Sequence, residues 1–381
     1  MKIAYITHET FFPPKGGGAV RVLNIAKAFA KKGHEVKLFA PYGDLYSGEK
    51  EIIPDVAFIP VSKIERFKTK NKETAYIKFL FSLTSLLIKE KFDLLFSHIA
   101  VAGTSGALVK TIKRKPAVID LDDIISGLSG ISFVQRYGPP FEFFIPVFYD
   151  RVICMSESLA KRVSMVKKDH VFVVPHGADF GLFYPGGESR KERHFVFSGG
   201  IEKHDGVDLI LMAAKELIDK YPDMKITILG DGSELSRNME LSRELGLSSI
   251  VEFKGWIEHE RVPEYLRHAC AGIVSDRRRA ATEVALVVRG VEYMASGIPV
   301  IAPDHGGTRE LLGDDGERGI IFRSGDYPDL ASKMAWVMDN PDEAYNIGIK
   351  GRKYAEVNYC WENNAERIVK ICEAVYREKS S

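Results

Sequence analysis

The chain has 381 residues, of which 45% are apolar and 28% charged, the balance of a folded globular protein rather than a disordered one. Its length predicts two or three domains. The net charge of +1 gives no reason to expect a nucleic acid partner, but residues 1–180 are basic and the remainder is acidic. The basic part favours contact with an anion, such as a phospholipid surface or a phosphorylated acceptor. The alternative is that two solvated surfaces merely differ in charge.

The cysteines and the first residues bear on cellular location. The cysteines are widely scattered and lack metal-ligand spacing, so we expect reduced, mostly buried thiols and no metal site: Cys154, Cys270, Cys360 and Cys372. Residues 2–7 have the pattern of a strand rather than of a signal peptide. No segment reaches the roughly 18 uninterrupted apolar residues that a membrane span needs. These features predict a cytoplasmic protein, attached at most to the inner face of a membrane.

Short apolar runs alternate with longer helical patterns, which predicts βαβ units and parallel sheets. In the first half, a helix is expected from about residue 20 to Gly33, and strands at 2–7, 35–41, 55–61, 94–99, 117–121, 151–155 and 171–175. A polar segment at 184–193 has the composition of a linker. After it, strands are expected at 194–199, 224–230, 250–254, 271–275, 298–302 and 319–322, and helices near 207–220, 233–246, 283–296, 328–338 and 361–377. Two doubly wound domains follow, with ligands bound beyond the carboxyl ends of their strands.

Two glycine-containing loops join a strand to a helix. Gly16, Gly17 and Gly18 follow the first strand and lead into the helix at Val20. Glycine permits close backbone approach, and a helix N-terminus offers N–H groups to an anion such as a diphosphate. The segment Gly230-Asp-Gly232 ends a strand in the same way, although a plain tight turn explains it equally well.

The densest polar region lies between Asp276 and Gly307. A helix there places Arg289 and Glu292 on one face, three residues apart. A carboxylate accepts hydrogen bonds from two vicinal hydroxyls, as a ribose presents them, and an arginine neutralises a phosphate. A surface ion pair worth little energy is the alternative, and spacing alone favours it.

At this point the chain resembles the retaining GT-B glycosyltransferases of the family 4 type, also called glycosyl transferases group 1. Six motifs stand in the expected order. They are the glycine loop with Gly33-His-Glu-Val36, Asp150-Arg-Val-Ile-Cys-Met-Ser156, Val173-Val-Pro-His-Gly-Ala-Asp179 with Phe183, Gly230-Asp-Gly232, Val251-Glu-Phe-Lys-Gly255, and Glu292-Tyr-Met-Ala-Ser-Gly-Ile-Pro-Val-Ile-Ala302 with Gly306, Gly307 and Glu310. The last is the most specific.

The resemblance implies two Rossmann-like doubly wound domains facing a central cleft. The expected division is an acceptor-side domain at 1–185, a nucleotide-sugar-binding domain at 186–358, and a C-terminal helix at 359–381 that returns to the first domain. The implied reaction moves a sugar from a UDP- or GDP-sugar to a glycan or lipid-linked acceptor, with retention at the anomeric carbon. No cofactor and no metal ion are expected.

The resemblance also assigns the donor site residue by residue. Glu292 matches the glutamate that holds the nucleotide ribose, and Gly255 to Ile257 match the loop that contacts the base. Gly306 and Gly307 match a loop near the phosphates and the sugar. Gly16 and Gly17 match the N-terminal loop that faces the diphosphate.

The chain departs from the family pattern at three places. The arginine and lysine that commonly hold the diphosphate are replaced by Gly200 and Asp205, with Lys203 between them as a substitute or as a solvated lysine. The usual two glutamates are separated by seven residues, whereas eight separate Glu283 from Glu292, so the sugar-holding role of Glu283 does not transfer directly. Some relatives instead carry a base three residues before the second glutamate. Arg289 stands there, and we expect it to be the main phosphate ligand.

Catalysis is expected to rest on charge stabilisation of the leaving diphosphate by Arg289, with a contribution from Arg277 to Arg279 as an option. In the first domain, Asp122 and Asp123 correspond to a common family histidine and aspartate. We expect Asp122 to contact hydroxyls of the acceptor or the sugar. Which group acts as the base stays open.

Residues 63–91 and 125–149 combine basic and aromatic side chains. Such a surface suits an anionic membrane and a lipid-linked acceptor, with peripheral membrane contact through 63–91. The favoured alternative is an ordinary core-packed helix at 74–90 behind a charged loop. For the whole chain, the alternatives are a catalytically silent GT-B binding or scaffold subunit and a nucleotide-sugar epimerase. A dinucleotide-dependent oxidoreductase fits poorly, since the first loop lacks a full Gly-x-Gly-x-x-Gly.

Overall fold

The computed structural model describes residues 1–14, 16–64, 72–122, 142–186 and 192–380. These residues form two compact units. The first comprises Met1–Pro175 together with Glu362–Ser381, and the second comprises His176–Trp361. The first unit thus ends ten residues before the expected boundary at residue 185. The reason is local, because the Ala178 N–H donates to the Tyr359 carbonyl at 2.8 Å and the His176 ring packs against Trp361 within the second unit. Of the expected linker, residues 187–191 lie outside the described residues.

The first unit is built on an eight-stranded sheet with the order β3-β4-β2-β1-β5-β6-β7-β8. All its pairings are parallel except β3 with β4. Seven strands lie where the sequence predicts them, and the short edge strand β3 is additional. The strands are β1 Lys2–Ile6, β2 Glu35–Tyr42, β3 Glu51–Ile53, β4 Val56–Lys63, β5 Leu94–His98, β6 Ala117–Leu121, β7 Arg151–Cys154 and β8 Val171–Val173.

Helices cover both faces of this sheet. The helix α1 (Gly17–Lys31) buries Val22, Ile25, Ala26 and Phe29, at the spacing that places them on one side. The C-terminal helix Trp361–Ser380 shares that core, as the resemblance implied. The connections from β4 to β7 run in the opposite direction across the sheet, so right-handed crossovers place their helices on the other face. They are α2 Lys72–Lys89, α3 Ile99–Lys113 and the 3-10 turn Ile145–Phe148; α4 Glu157–Val163 follows β7.

The second unit has a six-stranded, wholly parallel sheet with the order β11-β10-β9-β12-β13-β14. Its strands are β9 His194–Ser198, β10 Lys225–Leu229, β11 Val251–Gly255, β12 Ala271–Ile273, β13 Val300–Pro303 and β14 Ile320–Phe322. Its helices are α5 Val207–Leu217, α6 Leu235–Glu244, the 3-10 turn His259–Arg261, α7 Val262–Leu266, α8 Val288–Ala295, α9 Gly306–Leu312, α10 Tyr327–Asp339 and α11 Pro341–Asn358.

The helix predicted at 283–296 is wrong at its start, because α8 begins only at Val288 and Glu283 lies in the preceding loop. The physical reason is the backbone of the loop, which passes so close to Gly306 and Gly307 that even a Cβ on either glycine would meet it. All four cysteines carry free thiols, two of them buried and two half-buried.

Each sheet contains one topological switch point, where the strand order reverses. In the first sheet it lies between β1 and β5, and in the second between β9 and β12. Open parallel sheets bind ligands in the crevice beyond the strand ends at such a point. These two places are therefore where functional side chains are expected in each unit.

Candidate active site

Arg289 lies at the switch point of the second sheet. It comes from α8, and its Nη2 donates to Asp276 Oδ1 at 2.7 Å and to Asp205 Oδ1 at 2.9 Å. Asp276 follows β12, and Asp205 follows β9 in the loop that precedes α5. Gly199, directly after β9, has φ 150°, and a Cβ there would overlap the guanidinium. A glycine at this position therefore makes room for the arginine.

Burial and charge shape this group of side chains. The guanidinium lies over the Phe197 ring, 4.9 Å from its centroid. Burial alone would lower the pKa of Arg289, but the carboxylates of Asp276 and Asp205 outweigh it and raise that pKa. Burial raises the pKa of Asp276 to about 6, although Arg289 acts in the opposite direction. Arg289 Nη1 is buried and has no hydrogen-bond partner within the described part of the chain.

Glu292 lies one turn further along α8 and has a partner of its own. Its Oε1 is 2.7 Å from Nε2 of His259, which follows the loop after β11. The His259 ring also packs against Phe183, with ring centroids 5.4 Å apart. Burial would lower the pKa of His259, but the hydrogen bond to Glu292 outweighs it, so that the pKa is raised. Arg289 and Glu292 are thus engaged with different partners, and the interpretation as a simple surface pair is wrong.

Glu283 fixes the loop at the start of α9. Its Oε2 accepts a hydrogen bond from the Gly306 N–H at 3.0 Å, and its Oε1 pairs with Arg278. Arg278 also donates to both the carbonyl and the carboxylate of Asp304, each at 2.8 Å. A Cβ on Gly307 would collide with the carbonyl oxygen of Ala285. The glycine pair is therefore held directly against the loop that precedes α8.

The switch point of the first sheet carries a second polar group. His98 ends β5 and is fully buried, with Nε2 3.0 Å from Asp122 Oδ2 and Nδ1 3.0 Å from Thr7 Oγ1. Burial would lower the pKa of His98, but Asp122 outweighs it and raises the pKa. Within the described residues, His98 forms the one group that could hold a metal ion, together with His8 and Glu9, whose ligand atoms lie within 4.8 Å.

Two family models match the chain. Residues 184–354 match the family described as Glycosyl transferases group 1, and residues 15–181 match Glycosyltransferase Family 4. The two matched regions together take in most of both units. The chain belongs to the group 1 glycosyltransferases. It is therefore a transferase, as the motifs predicted.

This group 1 glycosyltransferase is similar along most of its length to characterised and uncharacterised relatives. D-inositol 3-phosphate glycosyltransferase of Corynebacterium kroppenstedtii is 24% identical over 395 residues, which cover 95% of this chain and 86% of the relative. An uncharacterized glycosyltransferase of Methanocaldococcus jannaschii is 23% identical over 365 residues, covering 95% of this chain and 96% of the relative.

Solved structures confirm the predicted GT-B fold of the transferase. Sucrose-phosphate synthase from Thermosynechococcus elongatus matches with a TM-score of 0.85 and 21% identity, covering 99% of this chain and 100% of that one. HepE from Anabaena, in complex with UDP-glucose, matches with a TM-score of 0.77 and 16% identity, covering 98% of this chain and 100% of that one. No helix in the described ranges has the length and apolar character needed to span a bilayer.

Apart from the two N-terminal glycines, the predicted donor residues of the transferase all belong to the second unit, in its strand ends, in the loops that follow them and in the helices α8 and α9. Gly255 is the last residue of β11, Ile257 stands in the loop after it, and Gly306 and Gly307 start α9. In the first unit, Gly16 precedes α1 with φ 87° and Gly17 is its first residue. Lys203 is exposed beside this site rather than built into it.

Other expected contributions are placed elsewhere or lie outside the described residues. Arg277 pairs with Asp208, and Arg278 pairs with Glu283, so both are engaged within the protein. Asp122 is buried beside His98, while Asp123 is outside the described residues. So are residues 65–71 of the basic segment and 125–141 of the aromatic one.

Several neighbours of the site residues were missed by the sequence reasoning. They are Asp276 after β12, His259 after β11, and His8, Glu9 and His98 at the ends of β1 and β5. Their common signal is a polar residue at or just beyond the carboxyl end of a predicted parallel strand. Applied to every strand, that rule would have selected each of them.

Proposed function

We propose that this transferase moves a sugar from a UDP- or GDP-sugar to a glycan or lipid-linked acceptor, with retention at the anomeric carbon. The observation that carries the proposal is the unpartnered Nη1 of Arg289 at the switch point of the second sheet. A buried N–H donor without an acceptor is costly, so it favours a ligand that supplies one. The UDP and UDP-glucose complexes of HepE support a nucleotide sugar as that ligand.

The charge of Arg289 suits the chemistry of the leaving group. Departure of the sugar leaves negative charge on the diphosphate, and a preorganised cation in a partly water-excluded site stabilises that charge. Because a guanidinium supplies the charge, we propose that the reaction needs no metal ion. Lys203, exposed nearby, adds a second positive charge that can move toward the phosphates.

Glu292 is the proposed ribose ligand. Its carboxylate is held by His259, and we propose that the ribose hydroxyls share it or displace the imidazole on binding. The loop of Gly255 and Ile257 lies beyond the neighbouring strand ends and would contact the base. The sugar-holding role of the family's first glutamate did not transfer directly to Glu283, and the contacts of Glu283 with Gly306 and Arg278 favour a role in positioning the glycine loop.

In the first unit, we propose that Asp122 contacts a hydroxyl group of the acceptor or of the sugar. The imidazole of His98 lies 3.0 Å from the Asp122 carboxylate, and the charge of that carboxylate raises the pKa of the imidazole, which favours its cationic form. Such a pair orients a hydroxyl and balances charge as its proton leaves.

A second function is favoured by one specific observation. Asp205 stands where the family commonly has a lysine, and with Asp276 it already neutralises Arg289. Two carboxylates around one arginine give a net negative group, which repels a diphosphate. A catalytically silent binding subunit is the function that would follow.

Calorimetric titration with UDP, GDP and their sugar conjugates, in the presence of a chelator, separates the two. Transfer predicts micromolar binding of one nucleotide, weakened at least tenfold by Arg289→Ala and by Glu292→Ala. The exposed residues Arg243 and Glu244 on α6 provide matched controls, and their alanine variants should bind like the native protein. Absence of any binding at millimolar concentration would favour the silent subunit. The anomeric configuration of the product, followed by NMR, tests retention.

A further inference from the structure

One face of the first unit exposes an unusual number of large apolar side chains. They lie on α2, on α3 and on the segment 142–148: Ile77, Phe81, Ile88, Leu108, Ile112, Phe144, Val147 and Phe148. We name these eight residues the apolar face. Phe81 alone is 75% exposed. Clusters of this kind on a soluble unit mark an interaction surface rather than an ordinary solvated one.

The helix α3 adjoins both of the other elements, so the eight side chains lie on neighbouring parts of one side of the sheet. The right-handed connections from β4 to β7 place them on the same side of the sheet, and α3 packs against both α2 and the 3-10 turn. Within α2, Ile77, Phe81 and Ile88 are separated by four and seven residues, which places them on one side of the helix. Leu108 and Ile112 repeat the four-residue spacing in α3. The buried side of α2 is formed by other residues, such as Phe79 and Leu83.

The opposite side of the same sheet shows that this exposure is not general. Of the exposed large apolar residues in the described part of the chain, none belongs to α1 or to the C-terminal helix. Both of those helices bury their apolar sides against the sheet. The apolar face is therefore a property of one side of the unit.

Basic side chains outnumber acidic ones around the apolar face, and the acidic residues Glu90 and Glu142, which adjoin it, are half-buried. The helix α3 contains no Asp or Glu, and α2 contains one acidic residue, in its first turn. Exposed cations lie on these helices and directly after them: Lys78, Lys89, Lys91, Arg114 and Lys115. Apolar side chains surrounded by lysine and arginine match the interface of a bilayer that contains anionic lipids.

We propose that the first unit docks through the apolar face onto an anionic membrane surface, with the apolar side chains at the headgroup level and the cations against the lipid phosphates. This places membrane contact on α2, α3 and 142–148 together, rather than on residues 63–91 alone. It does not depend on the proposed transfer reaction, because docking is measured without a sugar donor.

The test is sedimentation of the full chain with large vesicles of phosphatidylcholine, with and without 30 mol% phosphatidylglycerol as the anionic probe. Binding to the anionic vesicles should exceed binding to the neutral ones and should fall as salt is raised. Phe81→Asp should weaken binding at least tenfold, and Lys89→Glu about 5-fold or more. Both residues are exposed, so circular dichroism should show unchanged folding.

Matched controls lie away from the apolar face. Val357 is also 75% exposed, and Val357→Asp should bind vesicles like the native chain. Lys27 is exposed on α1, and Lys27→Glu tests a charge reversal on the opposite side of the sheet. The proposal is overturned if anionic vesicles are not bound at low salt, or if the control variants lose as much binding as the face variants. It is also overturned if Phe81→Asp only converts a dimer to a monomer in sedimentation velocity, which would assign the face to a second copy of this chain.

Discussion

The ionised carboxylate of Asp276 should weaken donor binding, so removing its charge should tighten binding. Its pKa is raised to about 6, so the carboxyl is ionised at pH 8 and largely protonated at pH 5. It shares Nη2 of Arg289 with Asp205. When ionised, it competes with the phosphates for the guanidinium and also repels them. We therefore expect Asp276→Asn to bind a UDP- or GDP-sugar more tightly than the native protein at pH 8, and equally at pH 5.

The size of the effect follows from the geometry. A phosphate oxygen bound to Nη1 would lie roughly 6 Å from the Asp276 carboxylate, because the guanidinium and one hydrogen bond on each side of it separate the two groups. Two like unit charges at that separation repel by about 3 kcal/mol at an effective dielectric constant of about 20. Each 1.36 kcal/mol is a tenfold change, so the upper bound is roughly 100-fold in Kd.

The assay is calorimetric titration of the donor sugar nucleotide between pH 5 and pH 8. The quantity to follow is the dissociation constant of the native protein divided by that of Asp276→Asn. His259 also titrates, but its effect cancels in this ratio because both proteins contain it. The ratio should grow as pH rises through about 6. The partly exposed Asp208, which pairs with Arg277 instead, provides the control variant Asp208→Asn. A ratio independent of pH, or weaker binding by Asp276→Asn at pH 8, would refute the reasoning.

Three further predictions concern stability and titration. Arg21→Met leaves the wholly buried carboxylate of Asp120 without its bidentate partner. Urea titrations should show that the free energy of unfolding falls by about 3–5 kcal/mol, and adding Asp120→Leu should recover most of that loss. Glu292→Gln removes the negative charge that helps to raise the pKa of His259, so NMR of the ring protons should show a lower pKa, and an unchanged value would contradict the contact. Gly307→Ala should lower the melting temperature, since the new methyl group meets a backbone carbonyl oxygen; an unaltered transition would show that the loop can yield.

The fold could be predicted from the sequence because buried parallel strands give continuous apolar runs that helical patterns separate. The strand β3 was not predicted because its three residues do not form a continuous apolar run and are half-buried or exposed at the sheet edge. The start of α8 was misplaced for a different reason. Residues 284–287 are apolar enough for a helix, but Gly307 packs closely against this loop, which does not form a helix before Val288, and such contacts are not visible in local sequence.

The site was predictable only where a motif marked it. Arg289 and Glu292 stand within the most specific motif, whereas their partners lie far away along the chain: Asp205 is 84 residues from Arg289, and His259 is 33 residues from Glu292. Partners of this kind are brought together by the order of strands in the sheet. A search restricted to strand ends near the switch points would have reduced the candidates to a few polar side chains.

The departure at Asp205 takes on a different meaning once its contacts are known. Its Oδ2 accepts a hydrogen bond from the Glu202 N–H at 2.9 Å, which fixes the carboxylate, and its Oδ1 holds Nη2 of Arg289. The arginine is thereby held in one orientation, with Nη1 left for a ligand. A lysine at position 205 would place a second cation against the same guanidinium. We infer that the aspartate and the arginine form one unit, in which the cation is supplied from α8 and not from the loop after β9. The absence of a lysine at position 205 is therefore weaker support for a silent subunit than the sequence alone suggests. The positive charge comes from Arg289 on α8, and it still lies at the switch point of the second sheet.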